Sequence, residues 1–317
     1  MNALSRLDDI LKPITDDMEK LNKDLLSLIS SDNEFLKDIT MHIVSVGGKR
    51  LRPAIVFMMA RALNDGQLFE NHNKLAIAIE LIHTATLVHD DVIDNADKRR
   101  NKPTINKLWD ERIAVIAGDY LLSQSLIKLS EINEAEIVKM FACIMKEVCE
   151  GEIQQHLQFK KVITIEEYVE KSRRKTALLF ALAAKASAAI STDDENKIKS
   201  AESFGMNFGI TFQIMDDILN LENSTDKPFL SDLKNGVITA PVIYAIEENS
   251  EIKEYLAKEN IDYEKLYKMI TNTKGMEKAK LLAFEYKQKA FENLSEFNED
   301  IYRTALIELL KFCFKRN

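Results

Sequence analysis

Apolar residues recur at helical spacing from one end of the chain to the other. Leu4, Leu7, Ile10 and Leu11 begin the pattern, and it persists through the last segment. No stretch keeps up the period-two alternation that is typical of a half-buried strand. The 317 residues include only five prolines and nine glycines, so few positions would interrupt a helix. The sequence therefore predicts an all-α protein.

Turn-forming residues divide this pattern into segments, for example at positions 46–48 and 98–104. Their spacing predicts about a dozen helices. The segments 133–157 and 195–222 have no wide polar face, which predicts that neighbouring helices cover most of their surface. No linker separates the segments, so we expect a single-domain bundle over residues 1–317.

The composition restricts the class of protein. Apolar residues make up 46% and charged residues 30% of the chain, a balance typical of globular proteins. A formal net charge of −8 argues against a nucleic-acid partner, which would favour a basic surface. The first residues lack the apolar stretch of a secretion signal, and no run of about 18 apolar residues predicts a membrane-spanning helix. We therefore expect a cytoplasmic protein without a transmembrane segment.

The three cysteines, Cys143, Cys149 and Cys313, show neither a pairing pattern nor a metal-ligand spacing. Unpaired cysteines indicate a reducing compartment, which agrees with a cytoplasmic location. We expect free thiols that are buried in the core, because a free cysteine behaves as a small apolar residue.

Three acidic residues lie within an otherwise apolar helical segment. Asp90, Asp91 and Asp94 occupy positions i, i+1 and i+4, so Asp90 and Asp94 lie one above the other and Asp91 flanks them. Like charges this close repel one another in a partly dry site unless a cation lies between them. Oxygen ligands on a rigid helix suit Mg²⁺, which shares its remaining positions with water and phosphate.

The same spacing occurs a second time at Asp216, Asp217 and Asn220. Two such helices facing each other would hold one diphosphate through Mg²⁺ ions. The alternative is that each cluster is a solvated helix end, and for a single cluster this alternative is as good as the metal site. A near-duplicate inside apolar helix favours the metal site.

A glycine turn with basic residues precedes the first acidic cluster. Gly47 and Gly48 lead into a helix, where free amides and the positive helix end would hold a phosphate together with Lys49 and Arg52. The alternative is a basic turn at the protein surface, since one such turn is a weak signal.

More candidate phosphate ligands lie on either side of the first cluster. Arg99 and Arg100 follow it and offer forked donors that match diphosphate oxygens. His83 lies about two turns before Asp90, on nearly the same face of the helix. Its role is open between contact with an anion and plain packing.

These segments resemble those of the trans-prenyltransferases, the polyprenyl diphosphate synthase family. The resemblance rests on Gly-Gly-Lys-Arg-Leu-Arg-Pro at 47–53, Asp-Asp-Val-Ile-Asp at 90–94 with the trailing arginines, Gly-Glu-Ile-Gln-Gln at 151–155, Lys-Thr-Ala at 175–177 and Phe-Gln-Ile-Met-Asp-Asp at 212–217. The segments occur in the family's order over roughly the central two thirds of the chain. The resemblance implies helices around a central cavity and Mg²⁺-dependent joining of isopentenyl diphosphate to an allylic diphosphate.

The resemblance also implies roles for individual residues. The two acidic clusters, including Asn220, would bind Mg²⁺ that bridges to the allylic diphosphate. The isopentenyl diphosphate would be held by Lys49, Arg52, His83 and Arg100, and the allylic diphosphate by Arg99, Lys175 and Lys227. Lys175, Thr176 and Gln213 would be catalytic, with Thr176 and Gln213 near the reacting carbons. The departing diphosphate would take the proton, so no histidine base is implied.

The second half of the chain departs from the family pattern. Asn220 replaces the third acid, the loop that follows lacks glycines that are usual in the family, and Val237 stands where lysine is common. An amide oxygen binds Mg²⁺ without contributing charge. We therefore expect a higher Mg²⁺ requirement and not a loss of activity.

Product length in this family depends on the residues four and five positions before the first aspartate, where bulky side chains stop the growing chain. Ala85 and Thr86 occupy these positions and are small. The resemblance therefore implies a long product, similar to that of octaprenyl diphosphate synthases, built on a farnesyl or geranylgeranyl primer. Phe141 and Met145 are candidates for a deeper stop, and core packing is the alternative for each of them.

Two other functions stay open at this point. A terpene cyclase also uses an acidic helical pocket and Mg²⁺, but it ionises a single substrate and needs no second diphosphate site. A non-catalytic or regulatory subunit of a heteromeric prenyltransferase would explain the altered second cluster, although the intact first cluster opposes it. By resemblance we expect a homodimer, and release of a hydrophobic product could bring it to a membrane surface.

Overall fold

The computed structural model describes residues 3–28, 33–157, 161–222, 230–258 and 260–315. Seventeen α-helices and one two-stranded hairpin lie in these residues, which confirms the all-α prediction. Three of the helices have only four to six residues. A hydrophobic pattern this short cannot be recognised in a sequence, and such helices raise the number above the predicted dozen.

The bounds of the elements follow the apolar segments of the sequence. In chain order the helices are α1 (Ala3–Leu11), α2 (Thr15–Ser27), α3 (Glu34–Val46), α4 (Leu51–Leu63), α5 (Glu70–Ile93), α6 (Ile105–Leu108), α7 (Glu111–Ser130), α8 (Ala135–Leu157), α9 (Ile165–Ser172), α10 (Leu178–Ser191), α11 (Glu195–Leu221), α12 (Ser231–Lys234), α13 (Ala240–Glu248), α14 (Glu251–Leu256), α15 (Tyr263–Thr271), α16 (Gly275–Asn293) and α17 (Ile301–Phe314). Short 3₁₀ turns occupy Lys12–Ile14 and Leu294–Glu296, and one π-helical turn, Arg173–Ala177, joins α9 to α10.

Helices α4, α5, α10 and α11 form the centre of the bundle. A large hydrophobic core surrounds α4, α5 and α10, and a second one surrounds the C-terminal half of α11 together with α13, α15 and α16. Helix α11 contributes to both cores, with Phe204 and Phe208 in the first and Ile214 and Ile218 in the second. This shared helix carries the second acidic cluster in the half that lines the second core, next to Met215, Ile218 and Leu221.

Two glycines let α11 approach α10 closely. A Cβ at Gly205 would collide with the carbonyl oxygen of Phe180, and a Cβ at Gly209 would collide with the Cα of Ala177. Only glycine permits backbones to come this near. The close approach brings the acidic end of α11 next to the π-helical turn.

Helix α8 lies nearer the surface than its pattern suggested. One face exposes Lys139, Lys146 and Glu150, so the expectation that neighbours cover most of the segment is wrong here. Cys143 and Cys149 lie on this helix and are exposed, whereas Cys313 is buried. The expectation of three buried thiols therefore holds for Cys313 alone, because an exposed helix face carries the other two.

The segment between α5 and α6 forms a short hairpin that the sequence did not predict. Strands β1 (Lys98–Arg99) and β2 (Lys102–Pro103) pair antiparallel, and the two turn residues have φ angles of 50° and 62°. The Lys102 amine donates to the Ser45 carbonyl at 2.6 Å, and His42 Nε2 donates to the Pro103 carbonyl at 2.8 Å. The hairpin is thereby held against the end of α3.

No helix in the described part of the chain is long and apolar enough to cross a membrane.

Candidate active site

The first acidic cluster lies at the C-terminal end of α5. Asp91 is 7% exposed and receives the forked guanidinium of Arg99, with Nε at 3.0 Å from both carboxylate oxygens and Nη2 at 2.9 Å from Oδ1. Asp90 is half-buried on the neighbouring side, and Asp94 is exposed as the residue that follows the helix. The first cluster thus has one buried carboxylate that is paired with an arginine and two carboxylates that are more accessible to solvent.

Burial raises the pKa of Asp90 to about 6. The charge of Lys175 opposes this shift, and the nearby carboxylates of Glu152 and Asp94 add to it. A carboxylate that is crowded by other acids gains most when a cation binds beside it. The electrostatics of this cluster therefore favour a divalent ion.

The second cluster is more deeply buried than the first. Asp217 is 5% exposed and Asn220 is 3% exposed, whereas Asp216 is half-buried. The Tyr168 hydroxyl donates to Asp217 Oδ2 at 2.5 Å, and Gln213 Nε2 donates to Oδ1 at 2.8 Å. Burial, together with the charge of Asp232, raises the pKa of Asp217 to about 7. Neutral donors, rather than a salt bridge, hold this carboxylate.

Two of the three residues with predicted catalytic roles, Thr176 and Gln213, contact the second cluster through a chain of hydrogen bonds. The Thr176 hydroxyl donates to Gln213 Oε1 at 2.6 Å, and Gln213 in turn donates to Asp217. Thr176 is buried, and it lies in the π-helical turn beside Lys175. The structure thus brings Thr176, Gln213 and Asp217 together, although they come from two different helical segments.

Two lysines lie between the acidic clusters. Lys175 Nζ is 3.4 Å from Glu152 Oε1. Burial alone would lower the pKa of Lys175, but the charges of Asp90 and Glu152 outweigh it and raise the pKa. Burial lowers the pKa of Lys171, and the charge of Asp217 partly offsets this. Lys175 therefore serves the first cluster and Lys171 the second, and Glu152 lies within electrostatic range of both lysines.

A basic site adjoins the first cluster. Arg52 stacks on the Phe180 ring at 4.2 Å, and burial lowers its pKa to about 10. Arg50 Nε lies 4.0 Å from a carboxylate oxygen of Glu80. Arg50 Nη1 and Arg52 Nε are buried and have no hydrogen-bond partner within the described part of the chain. Unsatisfied buried guanidinium donors are costly, so this site is suited to an anion that accepts from them.

The glycine turn forms the other side of the basic site. Arg100 Nη1 donates to the Gly47 carbonyl, and a Cβ at Gly48 would lie 2.7 Å from the same nitrogen. Helix α4 starts immediately afterwards with no side chain capping its first amides. Exposed Lys49 lies beside the turn, with its amine 5.5 Å from the Phe312 ring. Amides, arginines and lysine thus surround one small region.

His83 belongs to the same basic region. Burial lowers the pKa of its imidazole well below the ordinary value, and the charges of Arg52, Arg100 and Arg99 lower it further. A neutral imidazole still donates one N–H to a phosphate oxygen. This electrostatic environment favours the anion-contacting alternative over plain packing.

The residues proposed to control product length lie near the main core. Ala85 and Phe141 are 3% and 1% exposed, and half-buried Met145 packs against the same hydrophobic core. The Thr86 hydroxyl donates a hydrogen bond to the His83 carbonyl at 2.8 Å. The methyl group is therefore the part of this side chain that remains for contact with other groups. Small side chains at 85 and 86 therefore lie about one turn before Asp90, at the edge of the main core.

Several residues of the site were missed by the sequence analysis. Tyr168, Lys171 and Glu80 gave no signal, because each is a single polar residue in an ordinary helical pattern, and Asp232 lies in the segment that was interpreted as a loop. Glu152 belonged to a family segment but had no role of its own. Lys227 lies outside the described residues, so its predicted contact with the allylic diphosphate stays a prediction.

The donors of the two clusters fit Mg²⁺. All are carboxylate or amide oxygens, which are the ligands that Mg²⁺ prefers. Among the described side chains no three acids, histidines or cysteines converge tightly enough to enclose an ion. Mg²⁺ is typically held by one or two carboxylates plus substrate phosphate and water, so this open arrangement is the expected one.

The chain was compared with known families and structures. Residues 33–273 match the polyprenyl synthetase family. A prenyl transferase of Cyanophora paradoxa is 37% identical, with 99% of both chains covered. The chloroplastic solanesyl diphosphate synthase 2 of Arabidopsis thaliana is 35% identical over 98% of this chain and 77% of its own. The crystal structure of heptaprenyl diphosphate synthase from Staphylococcus aureus superposes with a TM-score of 0.90 at 33% identity, covering 95% of this chain and 98% of that one.

These similarities extend over nearly the whole chain and agree with the oxygen-rich clusters and the basic site described above. The alternative of a terpene cyclase is not favoured by them. This chain belongs to the polyprenyl synthetase family and is a prenyltransferase.

Proposed function

We propose that the protein is a Mg²⁺-dependent, long-chain trans-polyprenyl diphosphate synthase. It would add isopentenyl diphosphate repeatedly to a farnesyl or geranylgeranyl primer. The names of its relatives, a solanesyl and a heptaprenyl diphosphate synthase, support a long product. The whole chain would form one polyprenyl synthetase domain.

One observation carries this proposal, namely the contacts of two adjacent arginines. Arg99 binds Asp91 of the first acidic cluster, and Arg100 binds the Gly47 carbonyl of the basic turn. The hairpin therefore joins an acidic region that is suited to metal ions and a basic region that is suited to a diphosphate group without metal. Two neighbouring anion sites suit an enzyme with two diphosphate substrates, whereas a cyclase needs only one.

In the proposed reaction, Mg²⁺ and with it the allylic diphosphate would be held by Asp90, Asp91, Asp94, Asp216, Asp217 and Asn220. Bound Mg²⁺ supplies charge neutralisation for the diphosphate that leaves when the allylic C–O bond breaks. Lys175, Arg99 and Lys227 bind the same diphosphate. Thr176 and Gln213 lie beside the carbons that react, and their hydrogen bond keeps both side chains in one orientation.

The basic site orients the second substrate. Arg52 and Arg100 offer planar donors, Lys49 a mobile charge and His83 a neutral N–H. Holding isopentenyl diphosphate there would aim its double bond at the allylic carbon and make the encounter intramolecular. The proton lost after bond formation would pass to the departing diphosphate.

The test is to incubate the purified protein with radiolabelled isopentenyl diphosphate, Mg²⁺ and either farnesyl or geranylgeranyl diphosphate. We expect a ladder of polyprenyl diphosphates that ends at a long chain, identified by mass spectrometry. A cyclase would consume the allylic substrate without isopentenyl diphosphate, and an inactive subunit would consume neither substrate. Either result would contradict the proposal.

Product length should respond to the side chains between the first cluster and the core. Ala85→Phe would place a ring beside the first cluster, and we expect it to shorten the product. Phe141→Ala or Met145→Ala would open space deeper in the core, and we expect a longer product. The length distribution by thin-layer chromatography measures all three. An unchanged distribution in every variant would show that these positions only pack the core.

We further propose a homodimer that forms through the outer face of α7. This face exposes Val115, Ile116, Leu126 and Ile127, each more than 40% accessible. They form two apolar pairs about three turns apart on one side of the helix, with exposed Asp119 and Ser123 between them, and exposed apolar residues of this kind are typical of a surface that a partner covers. Light scattering should give twice the chain mass, and Ile116→Asp with Ile127→Asp should give the single-chain mass. A monomeric wild-type protein would point to a different partner subunit.

The three free cysteines support our proposal of a reducing, cytoplasmic location.

A further inference from the structure

Tyr168 is a buried polar residue to which the sequence assigns no role. It is 3% exposed, and its hydroxyl donates to Asp217 Oδ2 at 2.5 Å. Gln213 Nε2 donates to the other oxygen of the same carboxylate at 2.8 Å. A carboxylate oxygen has two lone pairs, so one hydrogen bond on each oxygen leaves one lone pair of each available.

The π-helical turn explains how Tyr168 reaches this position. Tyr168 and Thr176 are eight residues apart in one continuous helical run from α9 to α10. In a regular α-helix that separation would turn them about 80° away from each other, at about 100° per residue. The π turn Arg173–Ala177 absorbs about one residue, so both side chains lie on nearly the same face. Both then meet α11, at Asp217 and at Gln213.

Ion pairs on the other side of the run hold the π turn in place. Arg173 donates to Glu170 at 2.8 Å and to Glu147 of α8 at 2.7 Å. Arg174 donates to Glu170 at 2.6 Å and to Gln154 of α8 at 3.1 Å. A Cβ at Gly151 would lie 2.8 Å from the Arg174 Cβ, so a glycine lets α8 come this close. The turn is thereby fixed to α8 on one side and to α11 on the other.

We propose that Tyr168 is a positioning residue that fixes the plane of the Asp217 carboxylate for metal binding. The hydroxyl and the Gln213 amide each hold one oxygen of the carboxylate, and one lone pair of each oxygen stays available to an ion. Hydrogen bonds of this kind to a metal ligand limit its rotation before the ion arrives. This inference rests on the proposed function of the second cluster.

The test removes the hydroxyl alone, with Tyr168→Phe. Mn²⁺ binding is measured by electron paramagnetic resonance in the presence of farnesyl thiolodiphosphate, which does not ionise readily. We expect Mn²⁺ affinity to fall about tenfold. The Mg²⁺ concentration for half-maximal rate should rise by a similar factor, with much of the rate recovered at saturating Mg²⁺. Tyr302→Phe is the control, because this ring packs 5.7 Å from Arg61, far from the clusters in the fold.

The outcomes separate this inference from the proposed function. Mn²⁺ affinity within about twofold of wild type in the Tyr168→Phe protein would overturn the inference and leave the metal site intact. A wild-type protein that binds no Mn²⁺ with the analogue would overturn both. If Tyr168→Phe does not fold, 3-fluorotyrosine at position 168 gives a fluorine resonance in an otherwise unchanged chain. That resonance should shift when Mg²⁺ and the analogue bind together, and an unmoved resonance would overturn the inference.

Discussion

The two acidic clusters share one spacing but are neutralised in different ways. Asp91 of the first cluster receives a charged, forked guanidinium from Arg99. Asp217 of the second cluster receives a hydroxyl and an amide, both neutral. Asp94 at the end of α5 is exposed, whereas Asp217 lies inside α11 and is 5% exposed.

The difference shows that a sequence spacing defines a set of ligands but not their electrostatic state. The Arg99 guanidinium offsets part of the burial cost of Asp91, although burial still raises the pKa of that carboxyl, whereas a carboxylate held by neutral donors keeps more of the cost of its burial. The second cluster therefore gains more from an arriving cation. Its neighbours orient the ligand without competing for its charge.

Among the changes that test this comparison, removing an acid of the first cluster should have the largest effect on turnover. Asp90→Ala deletes the carboxylate that lies beside both Glu152 and Lys175. We expect turnover to fall at least about a hundredfold, because the leaving diphosphate loses electrostatic stabilisation. Incorporation of radiolabelled isopentenyl diphosphate measures this. Glu308→Ala, on the distant surface of α17, is the matched control and should keep the wild-type rate. A loss of less than about tenfold in Asp90→Ala would contradict the assignment of Asp90 as a metal ligand.

The two lysines provide the next test. Lys175 lies beside the first cluster and Lys171 beside the second. We expect Lys175→Met to raise the KM for the allylic diphosphate by about ten- to a hundredfold, since a half-buried charge pair is lost. Lys171→Met should have a smaller effect on the same constant. Steady-state kinetics with each variant decide the order, and the reverse order would assign the diphosphate to the second cluster.

Thermal stability without metal should distinguish Asp217 of the second cluster from Asp91 of the first, because only Asp91 is paired with a guanidinium. The folded-state pKa of Asp217 is about 7 and its ordinary value is 3.8, so the folded protein holds this proton more tightly. Stability from this group is therefore lost as pH rises between these two values and is lowest above about 7. Asp217→Asn should flatten part of this decline, and Asp90 of the first cluster, with a pKa of about 6, should contribute a smaller part in the same direction.

Asp91→Asn should act in the opposite direction. It leaves the Arg99 guanidinium without its carboxylate, so we expect a lower Tm at neutral pH, although burial raises the pKa of Asp91 and removing its charge recovers part of that cost. Melting curves in EDTA at several pH values measure both variants. Equal shifts of the same sign would show that the clusters are neutralised alike.

The smallest expected effect comes from restoring the third acid of the second cluster. Asn220 is 3% exposed, and Asn220→Asp adds a charge to the proposed ligand set. We expect the Mg²⁺ concentration for half-maximal rate to fall about threefold. Mg²⁺ titrations of the prenyl transfer rate measure this. No change, or a rise, would mean that residue 220 does not ligate Mg²⁺.

Much of the site was predictable from local spacing. The acids at 90, 91 and 94 and those at 216 and 217 occupy defined positions on a helix, whatever the helix packs against. The glycine turn at 47–48 and the arginines after α5 were recognisable for the same reason. The hairpin was not, because two-residue strands leave no periodic pattern.

The pairing of charges across the site was not predictable. The sequence analysis placed Arg99 on a substrate diphosphate, and in the structure without ligands it binds Asp91. Tyr168 and Asp217 are 49 positions apart, and Thr176 and Gln213 are 37 apart. Contacts this distant depend on how α9, α10 and α11 pack, which no local pattern encodes.

The sequence by itself determined the helices, the two oxygen-rich clusters and the family motifs, because each of these depends on residues a few positions apart. Only the tertiary structure decided which cation or hydroxyl meets which carboxylate. The physical reason lies in the π turn at Arg173–Ala177 and the glycines of α11. The π turn shifts by about one residue which side chains face α11, and the glycines allow the two backbones to approach closely. Both effects appear only when the helices are packed together.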